Sequence, residues 1–513
     1  MAMIKKDVSY KMLRSFVSRV NSTTASPARR TTINTPIQNS FPAVAQPVAT
    51  VKDDGNDGAV KIFDFEDTKR LFASVPTRKL LHSAITLNVC AMESMVDFSI
   101  KVMNSKTMET NRFFREAVLK TIRHSAYDHF VAGEDTVQAG RTVNRLWESG
   151  LRGMLDYGLE HAADNESCDD NTQELIKTAE SAHSLPPSSV SFVVVKVTAI
   201  CPVYLLRRVS DLLRWEYQNS SFKLSWKQQT LPIFSESSPF YHTLQQPAPL
   251  SAEEEHDLEL AHQRLTSICD KSINGGIPVV VDAEDTSIQP AIDYLTYWAA
   301  LNYNKGTKPM VFGTIQGYLK DAGKRMYLTK KAADKMGVPV GFKLVRGAYM
   351  SSERKLANSL GVDSPVHDTL NGTHDCFNGC ASFMLDEVSK GPGGLVLASH
   401  NLESGKLAAQ KARDYGIGKE SEKLEFASLY GMAEGMTFGL KNGGFSVSKY
   451  LPFGPVEQIM PYLLRRAEEN RGLLSSSNLD RQLMKQELKR RLKACFTVGE
   501  NQFKPETNSM ASN

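Results

Sequence analysis

Between residues 277 and 345 the sequence reads Ile277-Pro278-Val279-Val280-Val281-Asp282-Ala283, then a helix-patterned stretch from Pro290 to Asn302, then Met310-Val311-Phe312-Gly313-Thr314-Ile315-Gln316, a second such stretch from Lys324 to Met336, and Gly341-Phe342-Lys343-Leu344-Val345. Three short, β-branched apolar runs separated by amphipathic helices specify parallel strands, because an antiparallel return needs only a short turn whereas a parallel crossover needs a helix. The pattern extends both ways. Upstream lie Arg152 to Tyr157 and Ser191 to Ile200; downstream lie Gly394 to Ser399, Leu424 to Leu429 and Phe445 to Leu451, with helices expected over Asp375 to Ser389, Ser404 to Tyr415 and Val456 to Asn470. Eight βα units predict an α/β fold of the (β/α)8 barrel type, with an open doubly wound sheet as the alternative. No internal repeat points to a solenoid or propeller.

Around this barrel, expected over 151–472, the chain divides by composition. Residues 61–150 read as helical, with apolar faces over Asp67 to Phe72, Leu80 to Ser94 and Glu109 to Ala126; 46–60 is a Pro, Gly and Asp rich linker. The connection between the second and third strands is too long for one crossover, so an insertion is expected at about 204–276, containing Tyr204 to Trp215 and the acidic helix Ala252 to Ser267. Whether it is a lid, an interaction surface or a disordered loop stays open. Residues 473–513 should form a helix, Leu479 to Phe496, that packs over the barrel or, as the alternative, offers a surface to acidic lipid or a partner, followed by a tail.

Residues 1–45 carry seven bases (Lys5, Lys6, Lys11, Arg14, Arg19, Arg29, Arg30) against the single acid Asp7. Apolar residues from Met3 to Val20 recur at helical spacing, and a Ser, Thr and Pro rich stretch without acids follows; this is the pattern of an organelle transit peptide, read as mitochondrial rather than chloroplast because the helix begins so close to the terminus, with a disordered basic tail as the alternative. Since the whole chain is only +4, the body without the leader is slightly acidic and lacks the basic footprint of a nucleic-acid binder. No window is long and apolar enough for a transmembrane helix: Val190 to Leu206 comes nearest but contains Lys196 and Pro202. Seven scattered cysteines do not make a disulfide framework, and His374, Cys376 and Cys380 read as helix packing, so no metal site is expected.

Chemistry in a barrel collects at the carboxyl ends of the strands. The polar residues there are Lys196, Asp282, Glu284, Gln316, Lys343, Arg346, Tyr349, His400, Asn401 and Tyr450. By alternation Lys196 points inward with Val194 and needs an anionic partner, for which Asp282 is the candidate. Its role is open among a structural ion pair, a Schiff-base lysine of a lyase and a carboxylate anchor. Arg465 and Arg466 diverge by about 100° on a straight helix, so they serve one ligand only if that helix crosses a pocket; otherwise they pair with Glu469 on a solvated face. No dinucleotide fingerprint, Walker loop, HExxH or GxSxG element stands in a supporting context.

Taken in order, Lys196-Val197-Thr198, Val281-Asp282-Ala283-Glu284, Lys343-Leu344-Val345-Arg346-Gly347-Ala348-Tyr349, Ser399-His400-Asn401, Tyr450-Leu451-Pro452-Phe453-Gly454 and Tyr462-Leu463-Leu464-Arg465-Arg466 with Glu469-Asn470 resemble the proline dehydrogenase family. The likeness runs from about residue 153 to 472 and is strongest to the monofunctional mitochondrial enzymes of plants. It implies a distorted barrel that binds FAD and oxidises L-proline to Δ1-pyrroline-5-carboxylate by hydride transfer to flavin N5, passing electrons to a membrane quinone from a peripheral position on the inner mitochondrial membrane. It implies that Lys196, Arg465 and Arg466 hold the substrate carboxylate and that Leu344, Tyr349, Tyr450 and Tyr462 wall the ring, with Asp282 beside Tyr450. Flavin contacts are implied for Gln316, Lys343, Arg346, Gly347, His400, Asn401, Leu429, Arg466 and Glu469. Tyr462 leaves little room for a ring hydroxyl, so proline is expected to be preferred over hydroxyproline. The tail after Glu469 is too short for a fused aldehyde dehydrogenase domain, so product release is expected. The chain departs from bacterial relatives in having Lys343 then Arg346 for Arg then Lys, Ala427 where some have Gln, and Ser399 for Thr.

Overall fold

The three runs quoted at the outset lie side by side in the computed structural model, which describes residues 62–103, 105–472 and 476–501, without the side chains of 109, 467–477 and 495–501. The leader and linker over 1–45 and 46–60, and the side chain of Glu469, lie outside the described residues. Eight parallel strands form: β1 (Arg152–Tyr157), β2 (Val190–Val195), β3 (Val279–Val281), β4 (Val311–Gln316), β5 (Gly341–Val345), β6 (Gly394–Ala398), β7 (Leu424–Leu429) and β8 (Val447–Phe453). Each pairs with the next, and β8 closes on β1 from Arg152↔Ser448 to Tyr157↔Phe453. The fold is a (β/α)8 barrel, not an open sheet.

Alternation divides each strand between two environments. Met154, Phe192, Val194, Val280, Phe312, Val396 and Ala427 fill the barrel interior. Their neighbours Val195, Val281, Ile315, Leu344, Leu397 and Phe426 face the helices in the larger core. Several strand ends differ from the sequence reading, those of β2 and β8 among them. The run expected to continue to Ile200 leaves the sheet after Val195 and coils into the short helix Val197–Ile200, fully buried against Asn165–His183. β8 runs on through Pro452, whose missing N–H is harmless here while its carbonyl accepts from Ala132 N at 2.8 Å.

The segment read as an insertion is packed into the barrel wall. Ser251 and Glu254 form a reciprocal capping box that starts the helix Ala252–Asn274, and this helix lies along Asn165–His183 and against β3, in the position of an ordinary crossover helix. Val203–Gln218 packs on Gln289–Tyr303, held by Arg214, which is 1% exposed and donates to the carbonyls of Thr286 (2.6 Å) and Ser287 (2.7 Å).

One placement decides what covers the mouth. The helix Thr136–Glu148, which precedes β1, packs outside β1 and β8 and so takes the place where the helix after β8 would close the outer ring. That last helix, Val456–Gly472, lies instead against Thr77–Cys90, Glu93–Met103 and the π-turn Arg123–Tyr127. The C-terminal helix Ser476–Asn501 packs on Thr68–Leu71, Thr77–Cys90 and Glu434–Asn442. Its Asp480 accepts the N–H groups of Glu434 (3.0 Å) and Gly435 (2.9 Å), capping that helix from outside. Among the described residues no helix is long and apolar enough to cross a membrane.

Candidate active site

Five inward side chains meet where β1, β2, β3, β5 and β8 end. Lys196 Nζ donates to Asp156 Oδ1 at 2.5 Å and to Tyr450 Oη at 3.2 Å, and lies 3.6 Å from Asp282 Oδ2. Tyr450 donates to Asp282 Oδ2 at 2.7 Å, and Lys343 pairs with the other Asp282 oxygen. Two lysines and two aspartates thus alternate around one phenol. Burial opposes the charge on Lys196, but Asp156 and Asp282 outweigh it and hold its pKa above the ordinary lysine value. For Asp282 burial is likewise outweighed, here by Lys343 and Lys196, and its pKa falls. Burial, then the two carboxylates, keep the Tyr450 phenol protonated far beyond the usual range.

A second carboxylate pair lies beside this network. Glu284, 2% exposed, receives the Thr198 hydroxyl at 2.9 and 3.2 Å, and its backbone is tied by Gln289 Oε1 (2.7 Å) and Gln316 Nε2 (2.8 Å). Burial, reinforced by the nearby Glu160 charge, pushes its pKa up to about 8. Glu160, just beyond β1, receives both terminal nitrogens of Arg465, at 3.0 and 2.6 Å. Burial would raise the Glu160 pKa, but Arg465 and Lys196 outweigh it and lower it.

This fork fixes the arginine helix over the mouth, since Glu160 belongs to the β1 loop. Arg465 turns toward β1, while the guanidinium of Arg466, 9% exposed, stacks 5.2 Å from the Tyr462 ring and acts on His400 beyond β6. The divergence of adjacent arginines therefore spreads two cations across one opening. Tyr349 and Tyr462 are half-buried at its edge.

On the β5 to β7 side, Arg346 donates to His374 Nδ1 (3.1 Å), Ser399 Oγ (2.6 Å) and Ser404 Oγ (2.8 Å) and lies 4.3 Å over the Phe377 ring. Burial lowers its pKa to about 10. A half-buried guanidinium whose partners here are neutral is a donor set that fits an anionic group such as a cofactor diphosphate. His400 Nε2 accepts from Leu429 N at 3.1 Å, and burial with Lys449, Arg466 and Arg346 nearby drops its pKa to about 3, so it stands as a neutral imidazole. Asn401 accepts from Ser404 N (2.9 Å) and caps Leu402–Asp414. Gly347 has φ +127°, and a Cβ there would fall 1.6 Å from Tyr318 Cδ1, so the backbone alone demands glycine.

One expected residue is corrected. Leu344 was expected to wall the substrate ring, but it is fully buried in the helix-facing core, because Lys343 points inward and its neighbour must point out. Two residues of the site, Asp156 and Glu160, escape sequence reasoning, whereas Glu284 was read as a strand-end polar residue and Thr198 as part of a motif, neither with a role. Alternation with Met154 is the one signal that could have found Asp156.

The residues 139–479 match the proline dehydrogenase family model. The chain is 54% identical over 434 residues to proline dehydrogenase 2, mitochondrial, of Arabidopsis thaliana, covering 84% of this chain and 91% of that protein. It is 55% identical over 432 residues to proline dehydrogenase 1, mitochondrial, of the same plant, covering 84% and 86%. Among solved structures it resembles proline utilization A (PutA) from Bdellovibrio bacteriovorus inactivated by N-propargylglycine, with TM-score 0.56 and 18% identity, over 83% of this chain and 41% of that one. The protein is a (β/α)8-barrel oxidoreductase. It belongs to the proline dehydrogenase family.

Proposed function

We propose that the protein oxidises L-proline to Δ1-pyrroline-5-carboxylate with FAD as cofactor, passing the electrons to a membrane quinone, as a peripheral enzyme of the matrix side of the inner mitochondrial membrane. The observation that carries this reading is the mouth itself: a tyrosine-lined opening with Lys196 below and the Arg465 and Arg466 guanidiniums above. Such a set binds a small carboxylate bidentately while leaving an apolar ring unhydrated. When bound, FAD supplies the two-electron acceptor for the hydride leaving the ring carbon beside nitrogen. Gln316, Lys343, Arg346, Gly347, His400, Asn401, Leu429, Arg466 and Glu469 would hold it.

The chain's own part is placement. The arginines orient the carboxylate, Tyr349, Tyr450 and Tyr462 exclude water from the ring, and Asp282 holds Tyr450 through a 2.7 Å hydrogen bond. A Schiff-base lyase would need Lys196 neutral, and two aspartates keep it charged. The mitochondrial names of the Arabidopsis relatives and the basic leader support the location. The test is one spectrum: the purified protein should be yellow and bleach with L-proline in the absence of oxygen. A colourless protein that borohydride links to a carbonyl substrate at Lys196 overturns the reading.

A further inference from the structure

The helix Thr77–Cys90 leaves Leu81, Ile85 and Val89 exposed by 49%, 57% and 43%. They recur every fourth residue and form one stripe, which Met92, 53% exposed, extends past the helix end. The C-terminal helix runs alongside; its Leu488 and Leu492, the latter 58% exposed, line the other wall of a shallow groove between the two helices. A contiguous apolar strip of this kind on a folded protein marks a contact surface.

The groove's charge identifies the partner. Its polar rim contains Arg481, Lys485 and Lys489 and no carboxylate. The nearby acids of the same helix are turned away: Asp480 is 3% exposed and caps Glu434–Asn442, and Glu487, 0% exposed, is held by Thr68, Arg490 and Arg491. The outer face is therefore apolar and cationic at once. The leader over 1–45, with seven bases and one acid, has the wrong sign to cover it, and a second copy would set the same lysines against each other.

We propose that this face seats the enzyme on an anionic phospholipid bilayer, with the leucine, isoleucine and valine stripe at the acyl boundary and Lys485 and Lys489 at the phosphates. The inference rests on the proposed quinone reading and deepens it by naming the side of the molecule that meets lipid. Thr77–Cys90 also packs on the arginine helix, so the lipid face stands one helix layer from the mouth.

The test is flotation of the full chain with vesicles of phosphatidylcholine alone or with about 20% cardiolipin. Four proteins are compared: the unaltered chain, the face variants Ile85→Glu/Leu492→Glu and Lys485→Glu/Lys489→Glu, both changed at exposed positions, and a leader variant, Arg14→Glu/Arg19→Glu. The unaltered chain should float with the cardiolipin vesicles, and each face variant should bind at least about tenfold more weakly with its dye-coupled proline oxidation unchanged. Equal binding by the unaltered chain and both face variants, or no binding by any, overturns the lipid face. So does binding abolished by Arg14→Glu/Arg19→Glu in the leader but kept by the face variants, or face variants that turn a dimer into a monomer without losing vesicles. Dye-coupled oxidation reads the enzymatic proposal separately: if it is present while flotation fails, only the lipid face falls.

Discussion

Replacing Arg465 by methionine separates substrate anchoring from everything else the mouth does. The guanidinium holds Glu160 through two bonds, 3.0 and 2.6 Å, with 29% of the arginine and 14% of the glutamate side chain exposed. In the proposed reaction the proline carboxylate uses the same fork. A hydrogen bond to a charged group contributes about 1.5–3 kcal/mol, and because nearly a third of Arg465 meets solvent the lower part of that range applies, or roughly 10- to 30-fold in kcat/KM. The loss should fall on KM, with kcat and flavin content kept, since Arg465 faces β1 and not the β5 to β7 side. A second effect follows from Glu160, whose counter-ion is gone and whose carboxylate then repels the substrate. The double variant Arg465→Met/Glu160→Gln should therefore recover part of the loss. Steady-state kinetics and flavin absorbance on the three proteins are the assay. An unchanged KM in Arg465→Met, a colourless Arg465→Met protein, or a double variant worse than the single refutes the reasoning.

Three further outcomes are expected. Asp156→Asn takes from Lys196 its nearest carboxylate, leaving Asp282 at 3.6 Å and the Tyr450 hydroxyl at 3.2 Å, and should lower unfolding stability in urea by about 2–3 kcal/mol, less than a fully orphaned buried charge would; a change under about 0.5 kcal/mol contradicts the pairing. Glu284, with a folded pKa of about 8, binds its proton more tightly folded than unfolded, so its contribution is complete below about pH 4 and is lost as pH rises to 8. The stability of Glu284→Gln relative to the unaltered protein should accordingly climb by up to about 1.4 kcal/mol per pH unit between pH 5 and 8 and then level off; a difference independent of pH refutes the buried neutral acid. If Tyr462 walls the substrate ring as proposed, L-proline should exceed hydroxyproline in kcat/KM by roughly tenfold or more, and comparable values would refute that role.

The strands were legible because each is a short run rich in apolar residues and bounded by breakers, β-branched in β2, β3 and β4, and β1, β5 and β7 begin and end where the pattern places them. The errors sit where the chain leaves the sheet. Val197 to Ile200 are apolar enough for a strand, but by then β2 has run out of partner in β3, whose pairing ends at Val281. Lys196 was readable from alternation and Asp282 and Tyr450 from their places at strand ends, whereas Leu344, placed on the ring wall by the resemblance alone, faces the helices because Lys343 beside it faces inward. Glu160 lies in a loop with no period to betray it. The route of the arginine helix was not legible from its own residues, because it depends on Thr136–Glu148 already filling the outer slot between β8 and β1.

That route also explains a division of labour in the charges. The strand-end lysines and aspartates satisfy one another: Lys196 lies between Asp156 and Asp282, and Lys343 shares Asp282. Charges so matched on adjacent strands are costly to disturb, which makes them a rigid floor. The Arg465 cation comes from a helix that merely lies across the opening, and its described partner, Glu160, is on a loop. An ion pair between a covering helix and a loop can yield to an incoming carboxylate at far smaller cost than one between adjacent strands. Substitutions in the floor should therefore register as lost stability, and substitutions in the cover as weaker substrate binding; the contrast between Asp156→Asn and Arg465→Met measures that difference within one site.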